Sequence, residues 1–246
     1  MYHHYFNNFT IQIIFRGCVR IIRNITVCRT SSSRSTIRFI DCAYFAVIRN
    51  FFFNESEDEG KLIRFLKEEN VKHQSEHVIF TDPPFAARTE ILAITLQKIS
   101  KLYNATNNHY KVLPIFWTFP YFMEQYIRRE MPQMKMLDFK VNYANHQAYN
   151  ENYKGRKAGS PIRFFTNIEQ SLIKYPKKFN DSYQYCKACK RFVSKENVHC
   201  KVCKTCPSKN GETYYHCRKC IKCVKPNYYH CDTCDRCVIK AKHDCK

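Results

Sequence analysis

Residues 181–246 hold twelve of the chain's fifteen cysteines and four of its ten histidines. They fall in a repeat. Cys186 and Cys189 form a CxxC, and His199 and Cys200 follow. Cys203 and Cys206 come next, then His216 and Cys217, Cys220 and Cys223, His230 and Cys231, Cys234 and Cys237, and last His243 and Cys245. A CxxC turn opens to about the bite that two thiolates need on one tetrahedral Zn2+, and a distant His/Cys pair completes the shell. Sixteen ligands divide into about four sites of Cys3His type. With every coordination place filled by protein, such ions are structural and replace a core too small to fold alone. The spacing leaves the pairing open. Ligands group sequentially, or the HCxxCxxC runs interleave as a ladder in which neighbouring units swap ligands.

Charge narrows the class of partner. The chain has 41 Lys+Arg against 21 Asp+Glu in 246 residues, formally +20. Such an excess points to a polyanion, first of all nucleic acid. The tail alone carries a formal excess of nine positive charges, which four Zn2+ on twelve thiolates would lower to about five. Tyr214, Tyr215, Tyr228 and Tyr229 interleave with its lysines. That composition suits RNA contacts with base stacking, and equally suits packing between metal sites. No apolar run reaches the roughly 18–20 residues of a membrane span, so no membrane partner is expected. The apolar N-terminal patch has no basic segment before it and is not read as a signal peptide. Without a secretory signal, metal ligation is the expected use of the cysteines rather than disulfides, in cytoplasm or nucleus.

Three stretches differ in composition. Residues 1–60 are rich in Arg, Ile and Phe, have poor periodicity, and contain only Gly17 and Gly60 as glycines. Residues 61–180 alternate helix and strand signals. "HVIFTD" (77–82) reads as a strand, and "RTEILAITLQKISKLY" (88–103) as a helix with Ile91, Ile94, Thr95, Ile99 and Leu102 on one face. "VLPIFWTFPYF" (112–122) reads as a long buried strand ending at Pro120, with Trp117 in the core. A short helix, "YFMEQYIRREM", follows. "KMLDFKVNY" (135–143) and "PIRFFTNI" (161–168) are further strands, separated by a basic loop with glycines at 150–160. Residues 181–246 form the Cys/His module. The expected fold is α/β: a partial Rossmann-like sheet followed by a small zinc-stapled module.

"TDPPF" (81–85) closes the first of those strands. Pro83 and Pro84 cannot continue a sheet ladder and fix a rigid turn. Open α/β sheets place ligands at such carboxyl ends. An adenine exocyclic amine is a poor nucleophile because its lone pair is delocalised into the ring. The acid of Asp82 and the carbonyl of Pro83 can accept its two N–H bonds, and the ring of Phe85 can stack on the base. A base reaching such a pocket has left its stack.

These segments resemble a known family. "TDPPF" followed by "EILAITLQKI", then "LPIFWTFPYFMEQYI", "MLDFKVNYANHQAY" and "SPIRFFTNI", with the Cys/His tail behind, is similar to the CCHC-zinc-finger family of ribosomal RNA adenine-N6 methyltransferases. The tail, including "VKPNYYHCDTCDRC", resembles a CTCHY-type zinc finger. The similarity covers about residues 61–246, in order. It implies transfer of a methyl group from S-adenosyl-L-methionine to N6 of an adenosine in large-subunit ribosomal RNA, in the nucleolus or cytoplasm. It implies that Asp82, Pro83, Pro84 and Phe85 are the catalytic motif. Phe119, Pro120 and Tyr121 are expected at the same end of the sheet, and Lys154, Arg156 and Lys157 as RNA contacts. Residues 1–60 depart from the family, which carries its first cofactor-binding strand and loop upstream, and read as a diverged or truncated segment. The alternative expectation is therefore an inactive RNA- or protein-binding zinc-finger chain with a degenerate methyltransferase domain.

Overall fold

The computed structural model describes residues 25–30, 37–39, 45–46, 51–52, 60, 62–64, 66–67, 76–107, 112–141, 160–175 and 179–245. Lys154, Arg156 and Lys157 lie outside the described residues.

The elements run β1 (Ile25–Thr30), β2 (Ile37–Phe39), β3 (Phe45–Ala46), β4 (Phe51–Phe52), β5 (Glu76–Thr81), α1 (Thr89–Asn107), β6 (Ile115–Pro120), α2 (Glu124–Glu130), β7 (Lys135–Lys140) and β8 (Ile162–Thr166). Six short strands follow: β9 (Tyr183–Cys186), β10 (Arg191–Ser194), β11 (Tyr215–Cys217), β12 (Lys222–Val224), β13 (Tyr228–Cys231) and β14 (Arg236–Ile239). They divide into two compact units. One comprises Gly17–Met136 with Ile162–Ile168; the other takes in Leu137–Pro161 and Glu169–Lys246. The chain passes from one to the other within β7.

In the first unit the sheet order is β2-β1-β5-β6-β8. β5 and β6 are parallel, with Thr81 beside Trp117. α1 makes the crossover that parallel neighbours require. β6 reads IFWTFP and every residue of it is buried, as a central strand covered on both faces must be. β8 returns antiparallel to β6. On its other side β5 meets β1, also antiparallel, with Ile25 opposite Thr81.

Aromatic residues dominate the core. Trp117, Phe119 and Phe165 are fully buried with Ile79, Leu92, Leu96 and Ile115. Fully burying an apolar side chain of this kind stabilises by about 1.5–3 kcal/mol. The buried face of α1 overlaps the expected one at Thr95 and Ile99, with Leu102 packed against the core, and departs from it at Ile94. Leu92, Ala93, Thr95, Leu96, Ile99 and Tyr103 face inward, whereas Ile94 is 55 % exposed. α1 carries two apolar stripes one position apart, and periodicity alone does not rank them. The inward stripe ends on Tyr103, whose ring meets buried His77 of β5 edge-on at 5.5 Å. Asn107 closes the helix by donating its side-chain amide to the Tyr103 carbonyl at 2.9 Å and to the Leu66 carbonyl at 2.8 Å.

The second unit is built differently. β9-β10, β11-β12 and β13-β14 are three separate antiparallel hairpins. Among the described residues, only the first has an apolar base: Phe139 of β7 packs against Tyr175, Phe179 and Tyr183, and Tyr175 stacks on Phe192 at 5.0 Å. Beyond that base, little apolar surface is available to hold the hairpins. No helix among the described residues is long and apolar enough to cross a membrane.

Candidate functional site

Two sites emerge, one in each unit. In the second unit the sixteen expected ligands gather into four clusters: Cys186, Cys189, His199 and Cys206; Cys200, Cys203, His216 and Cys223; Cys217, Cys220, His230 and Cys237; Cys231, Cys234, His243 and Cys245. The pairing left open by the sequence is interleaved. In each HCxxCxxC run the first and second cysteines serve their own cluster, while the preceding histidine and the third cysteine reach back to the cluster before. His199 and Cys200 are chain neighbours in different clusters, as are His216 and Cys217. The last cluster is instead closed by His243 and Cys245, two residues apart.

The donors fit zinc. Bonds of about 2.3 Å to sulfur and 2.1 Å to nitrogen give a tetrahedron with edges of roughly 3.6–3.8 Å. In the first cluster His199 Nδ1 lies 3.6, 3.3 and 3.8 Å from the sulfurs of Cys186, Cys189 and Cys206. In the second, His216 Nδ1 lies 3.8, 3.2 and 3.9 Å from Cys200, Cys203 and Cys223. In the third, His230 Nδ1 lies 3.8 and 3.2 Å from Cys217 and Cys220. The last cluster is tighter, with Cys231 and Cys234 each 3.1 Å from Cys245, and its histidine turns Nε2 inward.

Each knuckle also favours thiolate at its first cysteine. The Cys203 N–H donates to Cys200 Sγ at 3.4 Å, and the Cys220 N–H to Cys217 Sγ at 3.4 Å. That bond is the main reason Cys217 is held down at about 7. Cys231 falls to about 6, chiefly through its bond with Cys245. Desolvation, then the neighbouring sulfurs, push Cys223 and Cys237 up to about 12. Three sulfurs in one pocket cannot all ionise without a cation among them, and a divalent metal supplies that charge. His230 carries a further layer. Its outer nitrogen, Nε2, lies 3.3 Å from Asp232 Oδ1 and 3.7 Å from Asp235 Oδ1, as ligating histidines commonly face carboxylates.

The second site lies at the carboxyl ends of β5 and β6. Asp82 is half-buried just past β5, Pro83 is buried, Pro84 is exposed and Phe85 is half-buried. The Ala87 N–H donates to the Pro84 carbonyl at 2.9 Å and closes the turn into α1. Thr118 Oγ1 lies 2.6 Å from Asp82 Oδ1 and 3.1 Å from the Thr81 carbonyl. The Phe85 ring meets Phe119 edge-on at 5.7 Å. Phe119 is fully buried and backs Phe85, while Tyr121, beyond Pro120, is partly buried with the Arg163 guanidinium 5.9 Å from its ring centroid. The structure thus brings Asp82–Phe85 and Phe119–Tyr121 together. The sequence reading missed Thr118, although it is the single hydroxyl in an apolar strand beside Asp82.

A second omission is Asp138. It is 1 % exposed on β7. Its Oδ2 accepts from the Ser194 N–H at 2.9 Å and from Asn197 Nδ2 at 2.7 Å. Asn197 in turn donates to the Ser208 carbonyl at 3.0 Å and accepts from the Ser208 N–H at 2.9 Å. A buried carboxylate therefore ties β7 to the first two knuckles.

The chain is similar to proteins described as rRNA N(6)-adenosine-methyltransferase ZCCHC4. The Mus musculus relative is 39 % identical over 183 residues, 69 % of this chain and 35 % of its own length. That of Homo sapiens is 42 % identical over 125 residues, covering 50 % of this chain and 24 % of its own length. That of Xenopus laevis is 36 % identical over 158 residues, 64 % of this chain and 31 % of its own length. The chain thus spans about a quarter to a third of the length of the curated relatives it matches. No family model matches it. The resemblance drawn from "TDPPF" and the Cys/His tail is borne out by these relatives.

Proposed function

We propose that this chain carries the adenine-receiving part of an S-adenosyl-L-methionine-dependent methyltransferase acting on N6 of an adenosine in large-subunit ribosomal RNA, in the nucleolus and cytoplasm. The observation that carries the reading is the pair of parallel strand ends holding Asp82 and Phe85, with Thr118 against the acid. The Asp82 carboxylate and the Pro83 carbonyl accept the two N6–H bonds, drawing the nitrogen lone pair out of conjugation, and Phe85 stacks on an unpaired base. Four zinc ions hold the Cys/His module as a structural arm.

The methyl donor fits the described residues poorly. In a doubly wound sheet the cofactor loop leaves the carboxyl end of a strand parallel to its neighbours. Here β5 has parallel β6 on one side but antiparallel β1 on the other, whose first residue, Ile25, stands opposite Thr81. That observation favours a second reading, an RNA-binding zinc protein without transfer activity.

Calorimetry with S-adenosyl-L-methionine on the zinc-loaded chain separates the two. Micromolar binding, with methylation of ribosomal RNA that Asp82→Ala abolishes, supports the first. A folded, zinc-loaded chain that binds RNA and not the donor supports the second.

A further inference from the structure

The four knuckles are one turn used four times. The first cysteine of each stands opposite the residue five positions on: Cys186 and Arg191, Cys200 and Thr205, Cys217 and Lys222, Cys231 and Arg236. The residue after the second cysteine is left-handed in each, with φ of 50° at Lys190, 51° at Lys204, 50° at Ile221 and 46° at Asp235. Equivalent positions can therefore be compared directly. The two residues inside each CxxC and the one after it are exposed in all four. The first of these tip positions is Lys187, Lys201, Arg218 and then Asp232. The last is Lys190, Lys204, Ile221 and then Asp235. The sign of the charge reverses at the fourth knuckle.

The tips of the third and fourth knuckles touch. Lys219, the second tip residue of the third knuckle, pairs with Asp232, the first of the fourth. The positions equivalent to Lys219 in the first two knuckles are Ala188 and Val202. Neither is an acid, and among the described residues no ion pair engages Lys187, Lys201 or Arg218.

We propose that the tips of the first three knuckles form a track for the phosphate backbone of single-stranded RNA, and that the fourth knuckle ends it. A linear polyanion matches cations repeated once per knuckle. Val202, 65 % exposed, and Tyr215, 42 % exposed, interleave with them and offer apolar and aromatic faces for bases, which an acidic peptide would leave unused. Asp232 neutralises Lys219 and, with Asp235, repels phosphate. The track takes its partner from the RNA reading above but does not depend on methyl transfer.

The test is fluorescence anisotropy of the full zinc-loaded chain with an unpaired RNA of about 12 nucleotides over a range of salt, a length within the span single-strand sites cover. Combined Lys187→Glu, Lys201→Glu and Arg218→Glu should weaken binding by about tenfold or more. The log–log salt slope should become shallower by about two, since each single-strand phosphate contact contributes about 0.7. Reversal of Arg88, Lys98 and Lys101, exposed cations of the first unit, changes net charge equally and should cost far less. Asp235→Lys should tighten binding. The glutamine versions of the tip variants, with zinc content checked by native mass spectrometry, guard against misfolding. Equal losses in the two triple variants, weaker binding by Asp235→Lys, or displacement of the RNA by polyglutamate at matched charge overturns the track. Absent methyl transfer with these results intact would overturn only the enzymatic reading.

Discussion

Thr118 Oγ1 lies 2.6 Å from Asp82 Oδ1 and joins the carboxyl ends of two parallel strands. A hydroxyl has one proton. It is given to the carboxylate that, in the reading proposed above, accepts from the N6 amine. Bonds to a charged group contribute about 1.5–3 kcal/mol. Thr118→Val should therefore lower the preference for RNA with an unpaired adenosine over the same RNA with purine riboside, which lacks the amine, by about tenfold or more. Thr118→Ser should restore it. Equal preference in wild type and Thr118→Val would show that Thr118 does not position Asp82.

The strand β6 explains what could be read from the sequence and what could not. Its run of aromatic and β-branched residues marked it as buried, and Trp117 is in the core as expected. The turn at Asp82–Phe85 was legible because two prolines after a strand have few uses. The inward face of α1 was legible only in part: Thr95 and Ile99 are buried as expected, but Ile94 and Leu96 are equally apolar and only the sheet decides between them. The sixteen ligands were legible from spacing, whereas their pairing was not. A CxxC names two ligands of a site, but the partners from the next run depend on how the hairpins stack. Asp138 gave no local signal at all: its partners, Ser194 and Asn197, are more than fifty residues away.

Removing that carboxylate should be costly. Asp138→Ala leaves the Ser194 N–H and the Asn197 amide without their buried acceptor, and each such loss costs about 1–3 kcal/mol. We expect about 3 kcal/mol of destabilisation in guanidinium unfolding at fixed zinc. Faster hydrogen exchange at the Ser194 amide should accompany it. Asp138→Asn retains one acceptor oxygen and should cost less. An unchanged midpoint for Asp138→Ala would mean that the zinc clusters alone hold the first knuckle.

Ile221 is the reverse case, a site where the native residue is poorly chosen. It sits at φ 50° and is 76 % exposed. Left-handed backbone costs an ordinary residue about 1–2 kcal/mol and is worst for β-branched side chains, whereas asparagine tolerates it. Ile221→Asn removes no buried contact, so it should raise unfolding stability by up to about 1 kcal/mol at constant zinc. Lys222→Asn, the neighbouring control, should not. A lower midpoint for Ile221→Asn would point to a role for the exposed isoleucine that outweighs its backbone strain.

The interleaved ladder makes a counting prediction that a sequential arrangement contradicts. Cys189 and Cys206 are seventeen positions apart in one cluster, while Cys203 and Cys206 are three apart in different clusters. Native mass spectrometry of the zinc-loaded chain should read one zinc lost in Cys206→Ser, and still one in the double Cys189→Ser and Cys206→Ser, because both changes empty the same site. Cys203→Ser combined with Cys206→Ser should lose two. Grouping consecutive ligands by fours would place Cys206 with Cys203, Cys217 and His216, and would exchange those two outcomes. The ladder also sets an order of failure under chelation. The last cluster is closed by His243 and the exposed Cys245, two residues apart and outside any HCxxCxxC run. It should release its metal first, and the other three clusters, each closed by the histidine and third cysteine of the next HCxxCxxC run, should follow more slowly.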